Sequence, residues 1–146
     1  MPASGRCSRE GECVSNIKYE MRVVEIGPLV SEFVEAKILV FFKTGAPPEL
    51  AEFSILHEPS DFFMDVQVGD RILFGQDSYE IKAVGDVANK NIRELGHLIM
   101  KCNGLTTAEL PGDVCVEDKE LPSIKVGTVV RIAAGCSEQQ QEVYLP

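Results

Sequence analysis

The sequence predicts a mainly β domain: a small barrel-like or sandwich-like antiparallel or mixed sheet with one short helix. Three observations carry that expectation. Short apolar or alternating runs recur roughly every ten residues, separated by glycine, proline and asparagine or aspartate turns. One segment alone has a helical period, with an acidic start and a glycine stop. The composition, 45% hydrophobic and 25% charged over 146 residues, is that of one ordinary globular domain.

In chain order, Tyr19, Met21, Val23 and Ile26 suggest a first strand, ended by Gly27-Pro28. Lys37-Ile38-Leu39-Val40-Phe41-Phe42-Lys43 is a continuous apolar run between lysines, which suits a strand buried on both faces. Gly45-Ala46-Pro47-Pro48 ends it, and Phe53, Ile55 and His57 share one face of a third strand. Val66-Gln67-Val68-Gly69-Asp70 leads into Arg71-Ile72-Leu73-Phe74, and Gly75-Gln76-Asp77-Ser78 turns into Tyr79–Val84. Further strands are expected near Leu98–Cys102, Asp113–Glu117 and Thr128–Ile132. The helix is expected at about 86–95, with Asp86 as its cap, Val87, Ala88, Ile92 and Leu95 apolar, and Gly96 as its stop. Residues 1–16 read as a disordered or extraneous leader, 17–136 as one domain, and 137–146 as a polar tail.

Charge and composition exclude several functions. The net charge is −9, from 23 acids against 14 bases, which argues against nucleic acid and anionic membrane as partners. The longest wholly apolar run, Ile38–Phe42, is far short of the roughly 20 residues of a membrane span, so no insertion is expected. The leader has no apolar core of the secretory type. Five cysteines without a C-x-x-C fit free thiols in a reducing compartment, and hence the cytoplasm. Two histidines without zinc-type spacing give no metal set. Nucleotide-loop, nucleophile-elbow and H-E-x-x-H signatures are absent, and no cofactor is expected.

The histidines remain. His57 stands at a strand end, before Glu58-Pro59-Ser60-Asp61; Pro59 cannot donate to a ladder, so the strand should stop there. An imidazole so placed is accessible, rigidly supported and nucleophilic near neutral pH, or else it simply caps the strand half-buried. His97 follows the Gly96 stop, where a helix C-terminus favours a cation by some tenths of a kcal/mol. It is either a structural hydrogen-bonding residue or a neighbour of some anion.

Phe42-Lys43-Thr44-Gly45-Ala46-Pro47-Pro48-Glu49-Leu50-Ala51-Glu52-Phe53-Ser54-Ile55-Leu56-His57 resembles the F-x-x-G-A-P-x-x-L-x-E-x-x-x-x-H stretch of the glucitol/sorbitol-specific enzyme IIA proteins. These belong to the bacterial phosphoenolpyruvate-dependent sugar phosphotransferase system. Ala83-Val84-Gly85-Asp86-Val87-Ala88 with Asn91-Ile92-Arg93-Glu94-Leu95-Gly96-His97 is similar to the family's A-V-G-x-V-A-x-x-N-x-R-E-L-G-H. Asn103-Gly104-Leu105 with Glu109-Leu110-Pro111-Gly112 is a third match, and the resemblance spans about 17–132.

The resemblance implies a cytoplasmic phosphohistidine carrier without a cofactor. The phosphocarrier HPr would phosphorylate His57, and His57 would pass the group to a cysteine of the IIB partner, for glucitol/sorbitol or a related polyol entering through the IIB/IIC permease. Phosphorylation adds about −1.5 to −2 charge, which backbone amides, His97 or Arg93 would have to offset. Phe62-Phe63-Met64, just after the His57 turn, form either a core strand or a surface for HPr or IIB. The alternatives are a non-catalytic regulatory module and a sugar-binding barrel.

Overall fold

The computed structural model describes residues 17–58 and 63–135; the leader, the tail, Phe62 and Cys7, Cys13 and Cys136 lie outside the described residues. Eight strands form a closed barrel: β1 (Ile17–Ile26), β2 (Ile38–Lys43), β3 (Ile55–His57), β4 (Arg71–Phe74), β5 (Asp77–Val84), β6 (Leu98–Lys101), β7 (Asp113–Val116) and β8 (Val129–Ala133). Their order around the wall is β1-β3-β2-β6-β7-β5-β4-β8. Closure leaves no free sheet edge. The β2/β3 and β6/β7 pairs are parallel, and the remaining neighbours are antiparallel.

The alternation read from the sequence points the larger side chains inward. Tyr19, Met21 and Val23 of β1 meet Leu39 and Phe41 of β2, Ile72 and Phe74 of β4, and Val130 and Ile132 of β8 in one buried core. Phe74 ties that core together, lying edge-on to Tyr79 with ring centroids 5.6 Å apart and facing Phe41 at 6.5 Å.

Among the described residues three helices decorate the barrel where one was expected. α1 (Val30–Val34) and α2 (Pro48–Ala51) are single short turns, and α3 (Ala88–Leu95) is the expected helix. Five and four residues are too few to show a helical period, so the sequence does not announce the first two. The start of α3 also differs from expectation. Val87, not Asp86, is the cap residue, and no side chain bonds the first turn. Its end is as expected: Gly96 is left-handed at φ 63°, and its N–H donates to the Ile92 carbonyl.

The parallel β2/β3 pairing positions the two polar residues at the end of these strands. It sets Phe41 beside Ile55, Phe42 beside Leu56 and Lys43 beside His57, and the Thr44 N–H closes the ladder on the His57 carbonyl at 2.9 Å. On the other side of β3, β1 carries a bulge between Val23 and Glu25, directly opposite His57. A bulge re-aims the residues around it and is a common device next to functional side chains.

Candidate functional site

His57 is the last residue of β3 and belongs, with Ile55, to the inward face. Its side chain is held from three directions. Nδ1 lies 2.9 Å from the Glu58 carbonyl oxygen, and Nε2 lies 2.8 Å from the Gly96 carbonyl oxygen. The Tyr19 ring stands edge-on, 6.2 Å away between centroids. The residue is 0% exposed. This differs from the accessible imidazole expected at a strand end: the strand does stop, but the α3 terminus is folded over the ring.

Gly96 makes that cover possible. A methyl group at its Cα would stand 2.8 Å from Cε1 of His57 and 2.8 Å from Cβ of Lys43. No larger residue fits, and the left-handed backbone independently favours glycine. The R-E-L-G-H motif thus acts on His57 through the Gly96 carbonyl and the missing side chain.

Two carbonyls facing one imidazole have a chemical consequence. A neutral ring carries one N–H, which donates to one of the two oxygens, while the other nitrogen presents a lone pair. Only at such a lone pair could the ring act as a nucleophile. The carbonyl beside it must then give way, while the other carbonyl holds the N–H and fixes the tautomer.

The other expected site residues are placed differently from one another. His97 stacks on Phe42, with centroids 4.4 Å apart and planes at 27°, and its Nδ1 is 3.2 Å from the Phe41 carbonyl. Phe42 points to the opposite side of β2 from Lys43, so His97 lies on the outer face of the wall while His57 lies inside. Burial pushes the His97 imidazole below its ordinary value, outweighing the hydrogen bond to Phe41, which pulls the other way. The helix-terminus effect expected from sequence is therefore overridden by desolvation.

Arg93 extends from α3 to Asp65 at 3.6 Å and covers the Phe63 ring at 5.5 Å. Phe63 in turn lies edge-on to Tyr19 at 5.7 Å. Arg93 thus reaches the His57 neighbourhood through two aromatic rings rather than directly. Met64 is 52% exposed and is tied to the barrel by its N–H, which donates to the Lys18 carbonyl. Phe63 and Met64 lie on a loop, not on a core strand. Phe62 lies outside the described residues.

Three residues of this site are missing from the sequence reading. Tyr19 reads only as a core strand residue, and Gly96 only as a helix stop. Lys43 reads as the end of an apolar run. Its Nζ donates to the Glu94 carbonyl at 3.1 Å, and it borders a solvent-open groove of about 120 Å³ with Phe42, Ala46, Pro47 and Leu95. Among the described residues no group of three or more His, Cys, Asp or Glu is arranged to hold a metal ion. No helix among the described residues is long and apolar enough to cross a membrane.

Comparison with known proteins adds the family. The family model for the glucitol/sorbitol-specific IIA component of the phosphotransferase system matches residues 18–131. A glucitol/sorbitol-specific EIIA component from Shigella flexneri is 33% identical over 113 residues, covering 77% of this chain and 92% of that protein. The glucitol/sorbitol-specific EIIA component from Escherichia coli (strain K12) matches with the same identity and coverage. Among solved structures, the crystal structure of a phosphotransferase-system IIA component from Enterococcus faecalis V583 aligns with a TM-score of 0.72. The two are 23% identical over 80% of this chain and 100% of that one, a likeness that speaks for the fold.

Proposed function

The chain belongs to the glucitol/sorbitol-specific IIA family of the sugar phosphotransferase system, and from that premise we propose that it is a cytoplasmic phosphohistidine carrier whose nucleophile is His57. HPr supplies the phosphoryl group, and a cysteine of the IIB partner removes it, so that glucitol/sorbitol or a related polyol is phosphorylated as it enters through the IIB/IIC permease. The observation that carries this reading is the seat of His57. Both ring nitrogens are aligned by backbone carbonyls, and the ring is backed by Tyr19 and pressed by a glycine that admits nothing larger.

In this reading one carbonyl keeps the N–H in place while the other nitrogen turns toward the donor. The in-line transfer is then a matter of positioning two nitrogens on either side of one phosphorus, which asks for no metal or cofactor. Met64, which is exposed, and Phe63 beneath Arg93 are proposed as part of the surface met by HPr or IIB. His97 is assigned to support: its ring braces Phe42, and its Nδ1 faces the β2 backbone.

A rival reading, a regulatory module that keeps the fold without the chemistry, draws on the complete burial of His57. The two separate in one experiment. With phosphoenolpyruvate, enzyme I and HPr, a carrier acquires an acid-labile phosphoryl adduct that the His57→Ala variant lacks, and it yields the group to IIB. A folded wild-type protein that stays unlabelled supports the rival instead.

A further inference from the structure

Phosphorylation of His57 would place roughly two negative charges against the carbonyl end of α3. The Gly96 carbonyl is 2.8 Å from the ring, and the Glu94 carbonyl belongs to the same helix end. A helix C-terminus repels an anion, and the chain already carries a net charge of −9. A cation there would offset that charge, and most nearby candidates already face a carboxylate. Arg22 pairs with Glu58, Lys90 with Glu94, and Arg93 with Asp65 and the Phe63 ring. Among the described residues, every lysine and arginine except Lys43 and Lys125 has a carboxylate within 4.0 Å.

We propose that Lys43 is the cation that receives the phosphoryl group on His57. The inference rests on the carrier reading of His57 and names a residue that reading leaves out. Lys43 and His57 are register partners on adjacent parallel strands, so their side chains leave the same face of the wall. Lys43 Cβ and His57 Cε1 each lie 2.8 Å from one point beside Gly96, so they are no more than twice that distance apart. The flexible stem of a lysine spans such a gap. Its ammonium is parked on the Glu94 carbonyl, a neutral acceptor, beside a groove open to solvent. Exchanging one carbonyl for phosphoryl oxygens turns a neutral-acceptor hydrogen bond into a charge-assisted one, about twice as strong.

The transfer balances without Lys43 giving or taking a proton. The N–P bond to the donor histidine breaks, and its electron pair stays on the donor nitrogen. The lone pair of the free His57 nitrogen forms the new N–P bond, and the N–H on the other nitrogen stays on its carbonyl. Lys43 follows the phosphoryl oxygens and offsets their charge in the adduct and on the way to it.

Phosphorylated HPr is the probe, with labelling rate and adduct lifetime measured together. Lys43→Gln is expected to label at His57 about ten- to a hundredfold more slowly and to hold a shorter-lived adduct, while Lys43→Arg restores most of both. In the wild-type protein, the ¹⁵N signal of the Lys43 ammonium is expected to shift on phosphorylation, a change that a merely structural lysine would not show. A folded Lys43→Gln protein with wild-type rate and adduct lifetime overturns the inference and leaves the carrier reading intact. If Lys43→Gln does not fold, an unmoved ammonium signal in the phosphorylated wild type overturns it equally. Failure of the wild type itself to label overturns the carrier reading and this inference with it.

Discussion

Two polar centres are built against β1, and they are finished differently. At Lys18 the ammonium donates to Asp70 Oδ2 at 2.7 Å and to the Asp65 carbonyl at 3.0 Å. Asp70 also accepts the Gln67 N–H at 2.8 Å and the Gly135 N–H at 3.3 Å. Every charge there has its opposite, and the cluster pins the segment 65–70 to β1. At His57 both ring nitrogens face backbone carbonyls, and the neighbouring lysine has a carbonyl in place of a carboxylate. A buried cluster that only holds the fold together is saturated, because each orphaned group costs stability. The His57 centre, proposed to accept a charged group, has beside it a lysine that faces a neutral acceptor.

That contrast can be broken from either side. The largest loss of stability is expected at the saturated centre. Asp70→Ala strands the buried Lys18 ammonium and should cost about 3–5 kcal/mol in urea or thermal unfolding. The folded fraction should still accept phosphate at His57. If acceptance falls faster than stability, the two centres are coupled rather than separate.

Gly96→Ala should come next, at about 2–4 kcal/mol, since a left-handed alanine is strained and its methyl meets the His57 ring and Lys43. Unlike Asp70→Ala, it should also slow labelling of the folded protein, because it displaces the ring itself. A stable Gly96→Ala protein with wild-type labelling would remove Gly96 from the site.

The smallest effect is expected at His97. Burial holds its folded-state value below 6.5, so the unfolded chain takes up a proton first as the pH falls. The stability it contributes is therefore complete above the ordinary histidine range and is lost on acidification through it. His97→Gln should flatten the pH dependence of the urea midpoint between about pH 8 and 5.5. A variant that keeps the wild-type slope would place the acid sensitivity elsewhere.

Much of the wall was legible in the sequence. Each of the eight expected strands, from Tyr19 to Ile132, has its counterpart, because alternation or, in β2, a short apolar run between turn residues is a local signal. α3 was legible for the same reason, with its glycine stop. Asp86 looked like a cap only because acidic residues usually are; the chain begins the helix one residue later, without a side-chain bond. The parallel pairing of β2 with β3 was not legible, since pairing partners leave no local signal.

Lys43 was hidden by the same gap. Nothing in Phe42-Lys43-Thr44 says that His57 stands beside it until the register is known. His57 stood out through its strand-end setting and the motif around it, whereas its cover by Gly96, a residue remote in sequence, left no local sign.

The proposed carrier role comes down to a single bond from phosphorus to nitrogen, and the chain has only two histidines on which to find it. Wild-type protein uniformly labelled with ¹⁵N, phosphorylated through HPr and examined by ³¹P and ¹⁵N NMR at alkaline pH, locates that bond directly. The expected result is one phosphohistidine, with phosphorus coupled to a ring nitrogen of His57 and the His97 ring unmodified. Coupling to His97, or a protein that shows no phosphohistidine after full treatment, would contradict it.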